Sequence, residues 1–153
     1  MILGQDDRGI GLEVNMAESV RVLLGKIGLD GHDRGIRMVA AWLRDGGTEV
    51  IYVGTHQTAE KIARAASDED ADVIGLSFGG ADHVPLCKQM VEQMEAYSLQ
   101  DRLFIVGGNI PRGDIEVLRE MGVDMVFPSG TPMSTSVSYI QENARKKRSK
   151  EAK

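Results

Sequence analysis

Cysteine occurs once, at Cys87. A single thiol excludes an internal disulfide and fits a reducing cytoplasm. Aromatic residues make up only 5% of the chain, too few for the stacking platforms of a nucleic-acid module. No apolar run approaches the ~18 residues of a membrane span. The first residues, MILGQDDRGIGLE, hold two early aspartates and no long apolar stretch, so they do not read as a secretory signal. Acidic residues outnumber basic ones, 23 to 18, which argues against a general polyanion binder. At 153 residues the chain is too short for a barrel enzyme of about 250. A large reaction chamber would have to come from another chain.

Two things are present in excess. Glycine accounts for 18 of the 153 residues, against a usual share of about 7%. The glycines fall singly or in pairs at spaced points, which is not low complexity. Positive charge is concentrated at one end. Residues 145–153, RKKRSKEAK, carry six Lys/Arg and one Glu, and the rest of the chain is strongly acidic. Such a run is expected to be a solvated, disordered tail, with an interaction tail as the second reading. Residues 1–18 show no period and are expected to form an arm, leaving one domain over 19–144.

Within that domain, short apolar runs recur at 20–26, 49–54, 72–78, 102–108 and 124–128. Their length and continuity suit strands buried on both faces of a parallel sheet. Helical periods lie between them. Ile36, Val39, Ala40 and Leu43 share a face; so do Ala59, Ile62, Ala63 and Ala66, and Cys87, Met90, Val91 and Met94. Ile115 and Leu118 mark a fourth helix, Val137, Ile140 and Ala144 a fifth. Thr58 suits an N-cap and Gly46 a helix end. Five alternating units predict an α/β doubly wound parallel sheet, flavodoxin-like, in the order 2-1-3-4-5. Cys87 reads as core, and Trp42, off the apolar stripe, as peripheral core or a partner contact.

Ligands of such sheets bind beyond the carboxyl ends of the strands. The segments expected there are KIGLDGHDRG (26–35), GTHQT (54–58), SFGGADH (77–83), GGNIP (107–111) and PSGTP (128–132). They hold nine of the 18 glycines and all three histidines, His32, His56 and His83. The spacings of a dinucleotide fingerprint and of a P-loop are both missing. A phospho-receiver would need Asp where Ser77 stands and Lys where Pro128–Ser129 stands. A flavodoxin would need a Ser/Thr-rich first loop. What the first loop does hold is Asp30-x-His32. A carboxylate two residues from an imidazole can accept its N–H, fix the tautomer and leave the other nitrogen to bind a metal. A solvated loop histidine is the plainer reading, and a site of all three histidines a further one.

Asp30, His32 and Gly35 form D-x-H-x-x-G. With Lys26, the GTHQT segment (54–58), Ser77, Gly107–Gly108, Gly130–Thr131 and the strand spacing, residues 20–145 resemble the cobalamin-binding domain of adenosylcobalamin-dependent acyl-CoA mutases, the methylmalonyl-CoA mutase group. The resemblance implies that His32 is the lower axial ligand of cobalt, displacing the cofactor's own dimethylbenzimidazole. It implies a relay in which Asp30 holds His32 and Lys26 pairs with Asp30. Cofactor contacts would extend over Asp30, Gly31, His32, Asp33, Arg34 and Gly35, and to Gly79. The freed nucleotide tail would lie between strands 1 and 3, with Ser77 on its benzimidazole. Gly107, Gly108, Gly130 and Thr131 would close its pocket. Read without the resemblance, Gly107–Gly108 is a strand-to-helix turn, Ser77 a backbone or capping partner, and Lys26 a solvated charge. One departure stands out: the family's S-x-L after strand 3 is here Ser77-Phe78-Gly79. Phe78 could supply bulk, but its side chain should point the other way.

The resemblance further implies radical rearrangement of an acyl-CoA with adenosylcobalamin, shared with a large acyl-CoA-binding barrel subunit, as in a heterotetramer. No nucleic acid or membrane is expected as a partner, and the cytoplasm is the expected location. Three rival functions share the motif. A corrinoid methyl carrier would be expected to place a helical cap of about 80 residues before this domain. The small subunit of glutamate mutase is similarly short. A cobalamin storage or sensor domain would bind the cofactor without catalysis.

Overall fold

In a computed structural model, residues 19–152 are described, the side chains of 149–152 excepted. The expected arm, 1–18, lies outside the described residues. Five strands alternate with five helices: β1 (Arg21–Gly25), α1 (Arg34–Asp45), β2 (Glu49–Tyr52), α2 (Ala59–Asp68), β3 (Val73–Phe78), α3 (His83–Ala96), β4 (Leu103–Gly108), α4 (Arg112–Met121), β5 (Met125–Pro128) and α5 (Met133–Ala152). All pairings are parallel, in the order β2-β1-β3-β4-β5. Fold class and strand order are as the sequence predicts, and each strand falls within its predicted run.

The sheet divides the core into two layers. One layer packs Leu23, Ile74, Leu76, Phe78, Phe104 and Val106 beneath α2, α3 and α4, whose buried residues include Ile62, Ala66, Cys87, Met90 and Leu118. The other packs Val22, Leu24, Val73, Leu103 and Ile105 against Ile36, Ala40 and Leu43 of α1 and Val137, Ile140 and Ala144 of α5. Strand residues alternate between the layers because successive side chains leave opposite faces. Thr58 caps α2 through its Oγ1, which accepts from the Lys61 N–H at 3.1 Å. Trp42 is 49% exposed and stands outside the core. Among the described residues, no helix is long and apolar enough to cross a membrane.

The expected boundary at 144 falls inside a helix. α5 runs through the basic segment to Ala152, because the amino ends of the strands offer fixed carboxylates. Asp72, almost fully buried, accepts from the Arg21 backbone N–H at 2.9 Å and from Arg148 Nη1 at 2.8 Å. Arg148 also pairs with Asp70. Lys147 donates to Asp124 at 2.9 Å, and the same carboxylate accepts the Phe104 N–H. Arg145 donates to the Ser19 carbonyl. These side chains are docked cations and not a solvated tail.

Two outcomes follow from this packing. Arg148→Ala leaves a buried carboxylate short of its strongest donor; urea denaturation should show a loss of about 1–3 kcal/mol, and an unchanged midpoint would contradict the docking. Burial pushes the Cys87 thiol up to about 12. Desolvation disfavours the thiolate, so Cys87 should resist disulfide reagents in the folded protein at pH 8 and react only on unfolding. Rapid labelling of the native state at that pH would contradict its burial.

Candidate functional site

The site begins with an ion pair that ordinary burial would forbid. Lys26, just past β1, is 1% exposed. Its Nζ donates to Asp30 Oδ2 and to the Ser77 carbonyl, both at 3.0 Å. A buried ammonium is tolerated only with such partners. Asp30 is in turn saturated. Its Oδ2 accepts the Gly79 N–H at 2.7 Å, and its Oδ1 accepts the His32 backbone N–H at 2.9 Å. Burial disfavours the ionised Asp30, but hydrogen bonds from His32, Lys26 and Gly79 outweigh it and hold the carboxyl well below its usual range.

The His32 ring completes the chain. Nδ1 lies 2.8 Å from Asp30 Oδ1. An ionised carboxylate can only accept, so Nδ1 carries the proton and Nε2 presents its lone pair. The His32 side chain is 94% exposed, beside a shallow hollow lined by Asp30, Gly79, Gly80, Ala81 and Asp82. The geometry thus yields an outward-facing imidazole nitrogen, oriented from behind.

Behind this loop, in the layer of α1 and α5, lies a cavity of 210 Å3. Its origin is legible in the strands. Gly75 and Ser77 stand on the face of β3 that points to α1 and α5, and Gly107 pairs with Ser77 across the sheet. Bulky residues continue that layer elsewhere; here it is bare. Leu24, Ile36, Val39, Ile105, Phe127 and Met133 supply the apolar walls. Gly35, Ser77, Gly107, Gly108, Gly130 and Thr131 all line it.

The two glycines of the pair do different jobs. Gly108 has φ +111°, and a Cβ there would lie 2.1 Å from the Phe78 carbonyl oxygen. It is fixed by backbone geometry, whereas Gly107 simply keeps the cavity clear. Gly79, by contrast, does not line the cavity. A Cβ at Gly79 would sit 2.8 Å from Asp30 Oδ2, so in this arrangement the departure from S-x-L lets the backbone N–H reach Asp30. Phe78 points into the opposite layer and packs edge-on against His83. It adds nothing to the cavity wall.

Asp33 sits at the N-cap position of α1 but makes no side-chain cap. Its carboxylate is engaged by Arg37 Nε at 2.8 Å and by the Tyr52 hydroxyl at 3.4 Å. The Arg37 guanidinium holds Asp33 below its ordinary range. Arg34 is exposed at the start of α1. The three histidines do not converge. His83 is buried and gives Nε2 to Asp114 Oδ2 at 2.7 Å. Among the described residues, no group of three or more His, Cys, Asp or Glu could hold a metal ion. Sequence reasoning missed Gly75, whose spacing of two from Ser77 marks a bare strip on one strand face. It also missed the Asn109–Ser129 hydrogen bond, 2.8 Å, which ties two loops of the carboxyl edge.

Comparison with known proteins gives concordant results. The B12 binding domain family matches residues 20–138. The chain is 42% identical over 129 residues to a protein named pivalyl-CoA mutase small subunit from Xanthobacter autotrophicus, covering 84% of this chain and 86% of that one. It is 38% identical over 120 residues to methylmalonyl-CoA mutase of Escherichia coli, covering 78% of this chain but 17% of that one. A solved cobalamin-binding protein from Desulfitobacterium hafniense superimposes with a TM-score of 0.71 at 20% identity, over 91% of this chain and 66% of that one; that likeness concerns the fold.

Asp30→Asn keeps the shape of the relay but leaves Lys26 buried without its counter-charge. Chemical denaturation at neutral pH should register a loss of about 3–5 kcal/mol. Wild-type stability in this variant would mean that Lys26 is not held by Asp30.

Proposed function

The chain belongs to the B12 binding domain family, and from that premise we propose that it is the cobalamin-carrying small subunit of an acyl-CoA mutase. The observation that carries this reading is the His32–Asp30–Lys26 chain, 2.8 Å and 3.0 Å at its two links, at the edge of a sheet with an apolar cavity behind it.

The residues present fit the cofactor. His32 Nε2 would hold cobalt, with Asp30 fixing the ring through Nδ1 and Lys26 fixing Asp30 through Oδ2. The apolar cavity suits a displaced benzimidazole, with Ser77 as its polar contact. The bare backbone at Gly107 and the walls at Gly35, Gly130 and Thr131 leave room for the nucleotide tail. Asp33, Arg34 and Gly31 flank the ligand loop. In its adenosyl form the bound cofactor supplies a carbon-centred radical by cobalt–carbon homolysis. This chain's contribution is to orient one imidazole by having its Nδ1–H donate to a carboxylate.

The cavity and the relatives support a division of labour. The cavity suits a ring of the cofactor and not an acyl-CoA. The 42% relative is itself named a small subunit, and the matched part of the E. coli mutase is a minor share of that protein. The acyl-CoA site and the cover over the upper corrin face therefore fall to a large partner subunit. The rearrangement of the acyl-CoA takes place there.

Paramagnetic resonance of the cob(II)alamin complex, with nitrogen-labelled histidine, tests the ligand. Coupling to an imidazole nitrogen is expected in the wild type and absent in His32→Ala. Retention of dimethylbenzimidazole as the wild-type ligand would refute the assignment. Mixed with adenosylcobalamin and acyl-CoA, the isolated chain should turn nothing over until a large acyl-CoA-binding subunit is added. Turnover by the chain alone would refute the division.

A further inference from the structure

His56 has no part in the relay or the cavity, yet its geometry is tightly specified. It adopts φ +58°, a left-handed conformation that non-glycine residues seldom take. The other described non-glycine residues with positive φ, Asp70 and Ser98, lie in loops at the opposite edge of the sheet. The loop carrying His56 is zipped to the loop after β1. Gln57 N–H donates to the Lys26 carbonyl at 2.9 Å, and Gly28 N–H donates to the Gln57 carbonyl at 3.1 Å. This brings the His56 ring against Gly31, between Asp30 and His32. A Cβ on Gly31 would meet His56 Cε1 at 3.4 Å and Nε2 at 3.7 Å. The ring is fixed at its other side, because Nδ1 lies 2.9 Å from Thr55 Oγ1. The residue is exposed.

We infer that His56 is a second cofactor-contacting imidazole, which braces the Gly31 turn and offers Nε2 to the amide-bearing rim of the corrin. The inference rests on the cobalamin reading above. The Thr55 hydroxyl can donate to Nδ1 or accept from it. Nε2 is then a donor in one case and an acceptor in the other. A primary amide supplies both an acceptor oxygen and donor N–H groups, so it complements His56 in either tautomer. A surface that merely shed water would need neither the strained backbone nor the Thr55 contact. Two functions can be separated by substitution. The brace needs a flat ring, and the rim contact needs the nitrogen.

The test uses the full chain, cob(II)alamin titrations followed by absorbance, and paramagnetic resonance of the complexes. His56→Phe keeps a ring and removes Nε2. It should weaken binding about 10-fold while the imidazole coupling from His32 stays as in the wild type. His56→Ala removes both, and should bind more weakly still and lose the uniform His32 signal. Circular dichroism checks that each variant is folded, and His56→Asn, which suits the left-handed backbone and keeps a polar group, should restore affinity relative to His56→Phe. Wild-type affinity and coupling in both His56→Phe and His56→Ala would overturn the inference and leave the cobalamin reading intact. Failure of the wild type to bind cobalamin would overturn that reading itself.

Discussion

The buried charge of Lys26 is the constraint from which the site is organised. An ammonium at 1% exposure demands an anion and a carbonyl within reach. The anion must come from the loop that follows, four residues on, and the carbonyl from the neighbouring strand. Meeting both demands draws the loop after β1 down onto the end of β3. Asp30 is thereby placed where it can accept from Gly79 and, on its other oxygen, from both nitrogens that His32 turns toward it. The orientation of His32 is thus set by a charge two partners away. The exposed ring has its geometry before any ligand arrives, which reduces the ordering that binding must otherwise accomplish.

The same strand end also borders the cavity. Ser77 gives its carbonyl to Lys26 and its side chain to the cavity wall, while the next residue, Phe78, fills the opposite layer. This assignment of faces follows from strand alternation alone. It explains why the segment tolerates glycine at 79. The position after Phe78 does not line the cavity, and a Cβ there would strike Asp30. Bare backbone at this edge serves two separate ends: Gly79 brings an N–H to a carboxylate, and Gly75 and Gly107 hollow out a layer.

Much of this was legible in the sequence, because it is written in local patterns. Five apolar runs and five helical periods prescribe the sheet, its order and the two core layers. D-x-H by itself suggests the Asp30–His32 link, whereas the pairing of Lys26 with Asp30 comes only from the family resemblance, since Lys26 read alone is a solvated charge. What was not legible depends on residues far apart in the chain. The basic run at 145–148 reads as solvated until Asp70, Asp72 and Asp124 are seen to gather at the amino ends of the strands, where they dock it. His83 reads as a loop histidine like the others until Asp114, on another helix, fixes it in the core. His56 is placed at the carboxyl edge by its segment, GTHQT, but neither its left-handed backbone nor its contact with Gly31 has a spacing in the sequence.

The arrangement also bears on what a domain of this size can do. At the loop after β1, its polar groups hold the buried lysine and orient the His32 ring. The cavity behind is apolar, and the described residues offer no metal cluster of their own. A nitrogen so exposed cannot exclude water from whatever binds to it, and exclusion of water is what a reactive radical requires. The side facing away from the sheet must be closed by something else. A separate large subunit meets that requirement at the place where the proposed cofactor would be open. On the proposed reading, the exposed His32 belongs to a division of labour in which this chain would hold the cofactor and a partner would enclose the chemistry.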